Sequence, residues 1–287
     1  MVVEVSILCD KVRFEEKALY EKTQSMGIKS KIVDAKTLTI GTCSKAKDFQ
    51  LGDVILQRSV SYYRGLYLTA CLEFLGFKVI NRFEVGQVCG NKLITSIRLA
   101  ENKIPTPKTQ FAFSAESGLE TIKNNGFPVV LKPIVGSWGR GIYPLRDLET
   151  ASMIIEMREE DDSPLSRIYY IQEMVDRPSR DIRCIVIGDQ VLTAIYRYSS
   201  QSEWRTNVAL GGKVELASIT KEMEDLALSA ARAVGGGILG VDMMEDKNRG
   251  LVVHEINNTV EFRGAASVSK ADIPNQMINY AINIARK

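Results

Sequence analysis

The sequence predicts an α/β protein built in series: an N-terminal unit with a parallel sheet, then two α+β lobes. Up to about residue 89, short apolar runs of strand length alternate with stretches of helical period. From about residue 90 the apolar runs are joined instead by short turns, Gly188-Asp189-Gln190 and Asp246-Lys247-Asn248-Arg249-Gly250, which mark antiparallel hairpins. A chain of 287 residues, 45% hydrophobic, buries a substantial core and is long enough for several sub-domains. The expected divisions are 1–89, 90–170 and 171–287, sharing one site.

In the first unit, residues 5–8, 31–33, 54–57 and 79–81 read as strands. Residues 14–26 and 67–75 read as helices, stopped by Gly27 and Gly76, which take the left-handed turn a helix C-terminus favours. The helix 92–101 ends at Ile104-Pro105-Thr106-Pro107, a stiff connector, because proline lacks an N–H and biases its predecessor toward extended backbone. A strand at 110–113, a helix at 115–125 and strands at 129–133 and 142–145 follow. Beyond the strand Tyr169-Tyr170-Ile171-Gln172-Glu173 come strands at 182–187 and 191–198, a helix at 221–234, two strands carrying Asp242 and Glu255, and a closing helix at 274–286.

Charge excludes several classes of function. Lys and Arg number 37 against 35 Asp and Glu, intermixed along the chain, which is no footprint for nucleic acid. No apolar run spans a membrane, and Met1 leads directly into a strand-like run without a basic leader, so a cytoplasmic location is expected. The five cysteines are scattered without a Cys-x-x-Cys spacing and read as small buried hydrophobes rather than a zinc or redox site. The one histidine, His254, has no nucleophile beside it, which argues against triad chemistry.

Chemistry concentrates in two places. In Val253-His254-Glu255-Ile256-Asn257-Asn258, strand alternation puts Glu255 and Asn257 on one face. A carboxylate and an amide on a core strand are costly unless satisfied, and Mg²⁺ satisfies several oxygens at once. Asp242 joins them if the 246–250 turn pairs its strand with theirs. The other reading of Asp242 and Glu255 is structural ion pairs with nearby arginines. The second place is Gly136-Ser137-Trp138-Gly139-Arg140-Gly141, whose glycines let backbone N–H groups approach an anion. It is neither a Walker loop nor a dinucleotide fingerprint, since a strand follows it. Lys132 just upstream and Lys92 at the start of a helix supply cations for the same phosphates.

Together with Gln172-Glu173, Arg180-Asp181-Ile182-Arg183, Arg205-Thr206-Asn207 and Gly211-Gly212, these segments resemble the ATP-grasp superfamily, within it the RimK-type ligases. The resemblance is greatest to the LysX/ArgX ligases acting on the amino-group carrier protein LysW. It implies an ATP-grasp fold with ATP between two lobes. Gln172 and Glu173 would form the adenine hinge, Asp181 would take the ribose, and Lys92 and Lys132 would hold phosphates under a flap at Gly136, Ser137, Trp138, Gly139, Arg140 and Gly141. Two Mg²⁺ ions would sit on Asp242, Glu255 and Asn257. A carboxylate would become an acylphosphate and then an amide, with Arg183, Arg197, Arg205 and Asn207 as candidates to stabilise the oxyanion.

In that group the carboxylate is the side chain of the C-terminal glutamate of an acidic carrier, and the amine belongs to α-aminoadipate or glutamate. The segment that distinguishes the two types reads Glu261-Phe262-Arg263-Gly264-Ala265 here and matches neither. Gly264 and the run 203–212 lean toward glutamate, whereas Asn258-Thr259-Val260 and Asp272-Ile273-Pro274 lean toward α-aminoadipate. The implied substrate pocket holds Arg197, Arg205, Asn207, Asn258, Thr259, Gly264 and Ala265, with Arg197 or Arg205 on the distal carboxylate. A homodimer or homotetramer is implied. Two other readings remain: a RimK-like glutamate ligase acting on a small cofactor or another protein, and a nucleotide-binding protein without catalysis, against which the complete set of metal ligands and lysines stands.

Overall fold

The computed structural model describes residues 3–136, 138–199 and 213–287. Arg205 and Asn207, with the rest of 200–212, lie outside the described residues, as does Ser137. β1 (Glu4–Cys9) is buried on both faces, as an inner strand of a parallel sheet is. After α1 (Phe14–Ser25), β2 (Lys29–Asp34) and β3 (Val54–Gln57) flank it, and β4 (Lys78–Ile80) extends the order to β2-β1-β3-β4, all parallel. Between the last two runs α2 (Tyr62–Phe74), which starts ahead of the expected 67–75. Tyr63 and Tyr67 stack on its outer face, where apolar residues obscure the helical period. α3 (Phe83–Cys89) has no counterpart among the expected elements, and α4 (Lys92–Glu101) occupies its expected span.

A second sheet contains β5 (Thr109–Ala112), β6 (Val129–Lys132), β7 (Tyr143–Leu145) and β8 (Tyr169–Glu173), in the order β5-β8-β6-β7. Its helices are α5 (Ala115–Asn125) and α6 (Leu148–Glu159), the latter capped by Asp147, which accepts a hydrogen bond from the Thr150 N–H at 2.7 Å. A division at residue 170 would cut β8, whose Glu173 is in register with Val129, so the central sheet runs to Glu173.

The third sheet is antiparallel, in the order β11-β10-β9-β12-β13. Its strands are β9 (Arg180–Ile187), β10 (Gln190–Tyr198), β11 (Val214–Ala217), β12 (Ile238–Asp246) and β13 (Gly250–Asn257). Val186, Leu239, Val241 and Val253 pack against α7 (Lys221–Ala233). After the short α8 (Arg263–Val268), α9 (Ile273–Arg286) joins the other face. There Ile185 and Ile195 share a core with Met277 and Ile278 of α9 and with Val5, Ile7 and Leu56 of the first sheet. The first and third sheets thus form one body, whereas the central sheet has its own core around Leu131, Leu145, Ile155 and Ile171.

Of the cysteines, Cys9, Cys89 and Cys184 are buried, Cys71 is half-buried and Cys43 is exposed on a loop, which corrects the expectation that all are core residues. No helix among the described residues is long and apolar enough to cross a membrane.

The α3–α4 junction depends on a glycine. A Cβ at Gly90 would lie 1.7 Å from a ring carbon of Tyr62, so only glycine lets α2 pack there. Asn91 then caps α4, accepting from the N–H groups of Leu93 at 3.0 Å and Ile94 at 3.3 Å, and this cap places Lys92 on the first turn. Gly90→Ala should lower stability by about 1–3 kcal/mol through overpacking, read as a lower denaturant midpoint at unchanged slope. An unchanged midpoint would show that Tyr62 moves aside freely.

Candidate active site

Residues from all three sheets line a cleft of about 330 Å³. Its floor comes from β12 and β13, whose register sets Asp242 opposite Glu255 and Gly240 opposite Asn257. All three polar side chains border the cleft, and Asn257 donates to Asp242 Oδ2 at 3.2 Å. The next pair is Met243 with Val253, which leaves His254 as the extra residue of a β-bulge. Strand alternation would send His254 away from the face of Glu255, but the bulge brings both to the cleft wall. Neither ring nitrogen of His254 has a partner, and burial, reinforced by Lys132, holds its pKa well below the ordinary histidine value.

Asp242 is 2% exposed and clasped by arginines. Arg183 of β9 donates through Nε and Nη2, both at 2.7 Å, and Arg197 Nη2 of β10 lies 3.0 Å away. Arg197 also makes a two-pronged pair with Asp181, at 2.7 and 2.8 Å. Burial opposes ionisation of Asp242, but the two guanidiniums prevail and hold its carboxyl far below the usual range. Burial likewise disfavours the charged Arg197, and Asp242 and Asp181 outweigh it, raising its pKa.

The ion-pair reading of Asp242 therefore describes the molecule as it stands. Arg183 and Arg197, the expected oxyanion-stabilising cations, border the cleft with their guanidiniums on Asp242 and, for Arg197, also on Asp181. Both oxygens of Asp181, expected to take a ribose, are engaged by Arg197.

The lysines meet across the cleft. Lys92 Nζ donates to the Gly136 carbonyl at 2.7 Å and lies 3.8 Å from Glu255 Oε1. Lys132, at the end of β6, donates to Gln172 Oε1 at 2.6 Å. Gln172 passes its amide protons to Thr109 Oγ1 and to the Tyr170 hydroxyl, both at 2.9 Å. Glu173 accepts from the Lys108 N–H at 2.7 Å and pairs with Arg249. The side chains of Gln172 and Glu173 are engaged by these partners rather than lining the cleft. The glycine-rich turn joins β6 to β7, with Gly136, Trp138 and Gly139 on the cleft and Arg140 against the Trp138 ring at 5.5 Å. Gly139 and Gly141 have φ of 71° and 67°, a conformation that favours glycine.

Of the expected substrate-pocket residues, Asn258 and Thr259 border the cleft. Gly264 and Ala265 do not. Ala265 is 2% exposed, packed with Phe262, Ile273 and Met277, because α8 turns that position toward α9. The cleft also gains residues that sequence reasoning missed, among them Arg13, Ser59, Asn81, Arg82 and Arg177. They lie in turns after strands or at element ends, where no periodicity reports a facing.

Residues 89–281 match the family model of the RimK-like ATP-grasp domain, and residues 5–88 match that of the LysX preATP-grasp domain. The chain belongs to the RimK-like ATP-grasp family. It is 36% identical over 278 residues to the alpha-aminoadipate–LysW ligase LysX of Saccharolobus solfataricus, covering 96% of this chain and 99% of the relative. It is 32% identical over 283 residues to the glutamate–LysW ligase ArgX of Sulfolobus acidocaldarius, covering 98% and 99%. A RimK domain ATP-grasp protein of Sphaerobacter thermophilus shares the fold with a TM-score of 0.79 at 21% identity, covering 97% of this chain and 99% of that one. The chain is thus an ATP-grasp ligase.

Ligases of this fold use ATP, typically with Mg²⁺, and the donor chemistry here fits that ion. Among the described residues no three His, Cys, Asp or Glu side chains cluster as a metal site, but two carboxylates and a carboxamide share the floor. All are hard oxygen donors of the kind Mg²⁺ takes.

Burial lowers the pKa of Lys132 from the ordinary 10.5 to about 8, with Glu255 opposing and Lys92 assisting. A polyphosphate beside Nζ favours the protonated form, so binding takes up a proton above that pH. ADP affinity is therefore expected to be level below about pH 8 and to fall toward tenfold per unit above it. Calorimetry in wild type and Lys132→Met checks this: a decline in wild type that is absent in the variant supports the assignment, and equal declines in both refute it.

Proposed function

We propose that this ligase joins the amino group of an acidic amino acid, α-aminoadipate or glutamate, to the side-chain carboxylate of the C-terminal glutamate of a LysW-like acidic carrier protein, with ATP converted to ADP and phosphate. The observation that carries the proposal is full-length similarity to both kinds of LysW ligase, on a chain whose cleft gathers Lys92, Lys132, Asp242, Glu255 and Asn257. The implied biosynthetic setting is lysine, arginine or both.

The carrier carboxylate attacks the γ-phosphorus, forming an O–P bond as the bond to the ADP oxygen breaks. The amine then attacks the acyl carbon, the C–N bond forms, phosphate leaves and the nitrogen gives up a proton. Lys92 and Lys132 supply positive charge to the phosphates, and the Gly136 carbonyl that Lys92 now holds ties this to the position of the turn above it. Asp242, Glu255 and Asn257 would hold Mg²⁺, as one ion or two, which when bound neutralises phosphate charge. We assign oxyanion stabilisation to Arg183, whose side chain keeps 16% exposure at the wall, ahead of the more buried Arg197. Arg205 and Asn207 remain candidates by resemblance.

α-Aminoadipate and glutamate differ by one methylene, which a pocket distinguishes by about 1–3 kcal/mol, so both should be used within about a hundredfold in kcat/KM. ADP release should require the carrier and an acidic amino acid together, and the carrier should gain the amino acid's mass less one water. ADP release with a small-molecule acceptor and no carrier would favour the cofactor-ligase reading instead. Because Asn258 faces the cleft and Ala265 the core, Asn258→Ala should alter the ratio of the two amino acids more than Ala265→Ser does. The reverse order would return specificity to α8.

A further inference from the structure

The incoming amino acid carries an α-ammonium, which the end of the cleft that holds Lys92 and Lys132 repels. It needs a carboxylate at the cleft wall. Glu261 borders the cleft four residues beyond Asn257, a span that keeps their Cα atoms within about 14 Å of each other. Its side chain is 38% exposed, and its pair with Arg13 is one-pronged, Oε1 accepting from Nη1 at 2.8 Å.

Buried ions fix where this carboxylate stands. The other nitrogens of Arg13, Nε and Nη2, grip Glu16 at 3.1 and 2.9 Å, and the fully buried Glu16 also accepts from Arg58 Nε at 3.1 Å. Glu15, buried as well, accepts from the N–H groups of Phe262 and Arg263, both at 3.1 Å, which pins the backbone directly after Glu261. The hydrogen-bonded ions of this corner are thus three carboxylates and two guanidiniums, a balance that favours a further cation.

A second group is in place beside it. Ser59 is 5% exposed and borders the same cleft, and among the described residues its Oγ has no hydrogen-bond partner. One guanidinium links it to Glu261: the Arg58 carbonyl, bonded to the Ser59 nitrogen, accepts from Arg13 Nη2 at 3.5 Å, while Nη1 is on Glu261. A buried hydroxyl left unpaired is costly, and a ligand that pairs it offsets that cost.

We propose that Glu261 binds the α-ammonium of the incoming amino acid, with the Ser59 hydroxyl as a second acceptor. This rests on the function proposed above. Two acceptors on a preformed frame orient the amine, and they serve α-aminoadipate and glutamate alike, since both carry the same α-ammonium.

The test is steady-state kinetics of the full chain carrying Glu261→Gln, with ATP, Mg²⁺ and a carrier ending in glutamate. Glutamine keeps an acceptor for Arg13 and loses the charge. KM for glutamate and for α-aminoadipate should rise about tenfold or more, while KM for ATP and for carrier stays within about threefold. Inhibition by glutarate, which is glutamate without its amino group, should weaken by no more than about threefold, so the preference for glutamate over glutarate shrinks. Ser59→Ala should raise KM for both amino acids by about threefold or more. Unchanged KM for both amino acids in Glu261→Gln overturns the proposal, and so does a rise confined to the carrier, which would place the carrier's chain there. Equal weakening of glutamate and glutarate also overturns it, leaving Glu261 as a structural partner of Arg13. If wild type makes no ADP with any acidic amino acid and carrier, the proposed function fails and this assignment falls with it. If wild type is active and Glu261→Gln matches it, the Glu261 assignment alone fails.

Discussion

One buried carboxylate, Asp242, constrains the rest of the site. An ion removed from water this completely costs several kcal/mol unless it is paired, and here Arg183 and Arg197 pair it from two neighbouring strands. Arg197 in turn requires Asp181, so two acids and two bases on β9, β10 and β12 form a neutral set. Removing any one member leaves the set with an uncompensated charge. The set holds the floor of the cleft in one geometry before a ligand arrives, which is how a site places fixed charges without reorganising them during reaction.

Packing decides what can move around that floor. The first and third sheets share a core through α9, whereas the central sheet carries its own, so the cleft lies between a fused body and a separately packed lobe. Polar links cross near the hinge, where Arg249 pairs with Glu173 and Lys247 with Asp176. Lys92 adds a link on the other side, its N–H donating to Ile134 and its ammonium to Gly136. A phosphate that draws the Lys92 and Lys132 side chains acts on both sides of the cleft at once, which connects binding to lobe position.

Much of this is legible in the sequence because it obeys short-range rules. The alternation of Glu255 and Asn257, the hairpin that brings Asp242 to them, and the helix that Lys92 opens all follow from local periodicity and turn chemistry. What escapes depends on partners distant in sequence or on irregular backbone. That Arg183 and Arg197 are occupied is a property of strand order, which brings Asp242 beside residues far back in the chain. His254 reaches the cleft through a bulge that strict alternation cannot foresee. Ala265 has a substrate-facing place in its motif, and the turn of α8 buries it instead.

Asp242 is held to anchor the cation-binding floor and to do more than neutralise arginines. Calorimetric titration of ADP into wild type and Asp242→Asn, each with and without Mg²⁺, tests this most directly. Mg²⁺ should strengthen ADP binding to wild type by about tenfold or more, and the variant should lose this gain while its Mg²⁺-free affinity stays within about threefold of wild type. An undiminished Mg²⁺ effect in Asp242→Asn would contradict that role, leaving Asp242 as a structural counter-ion for Arg183 and Arg197.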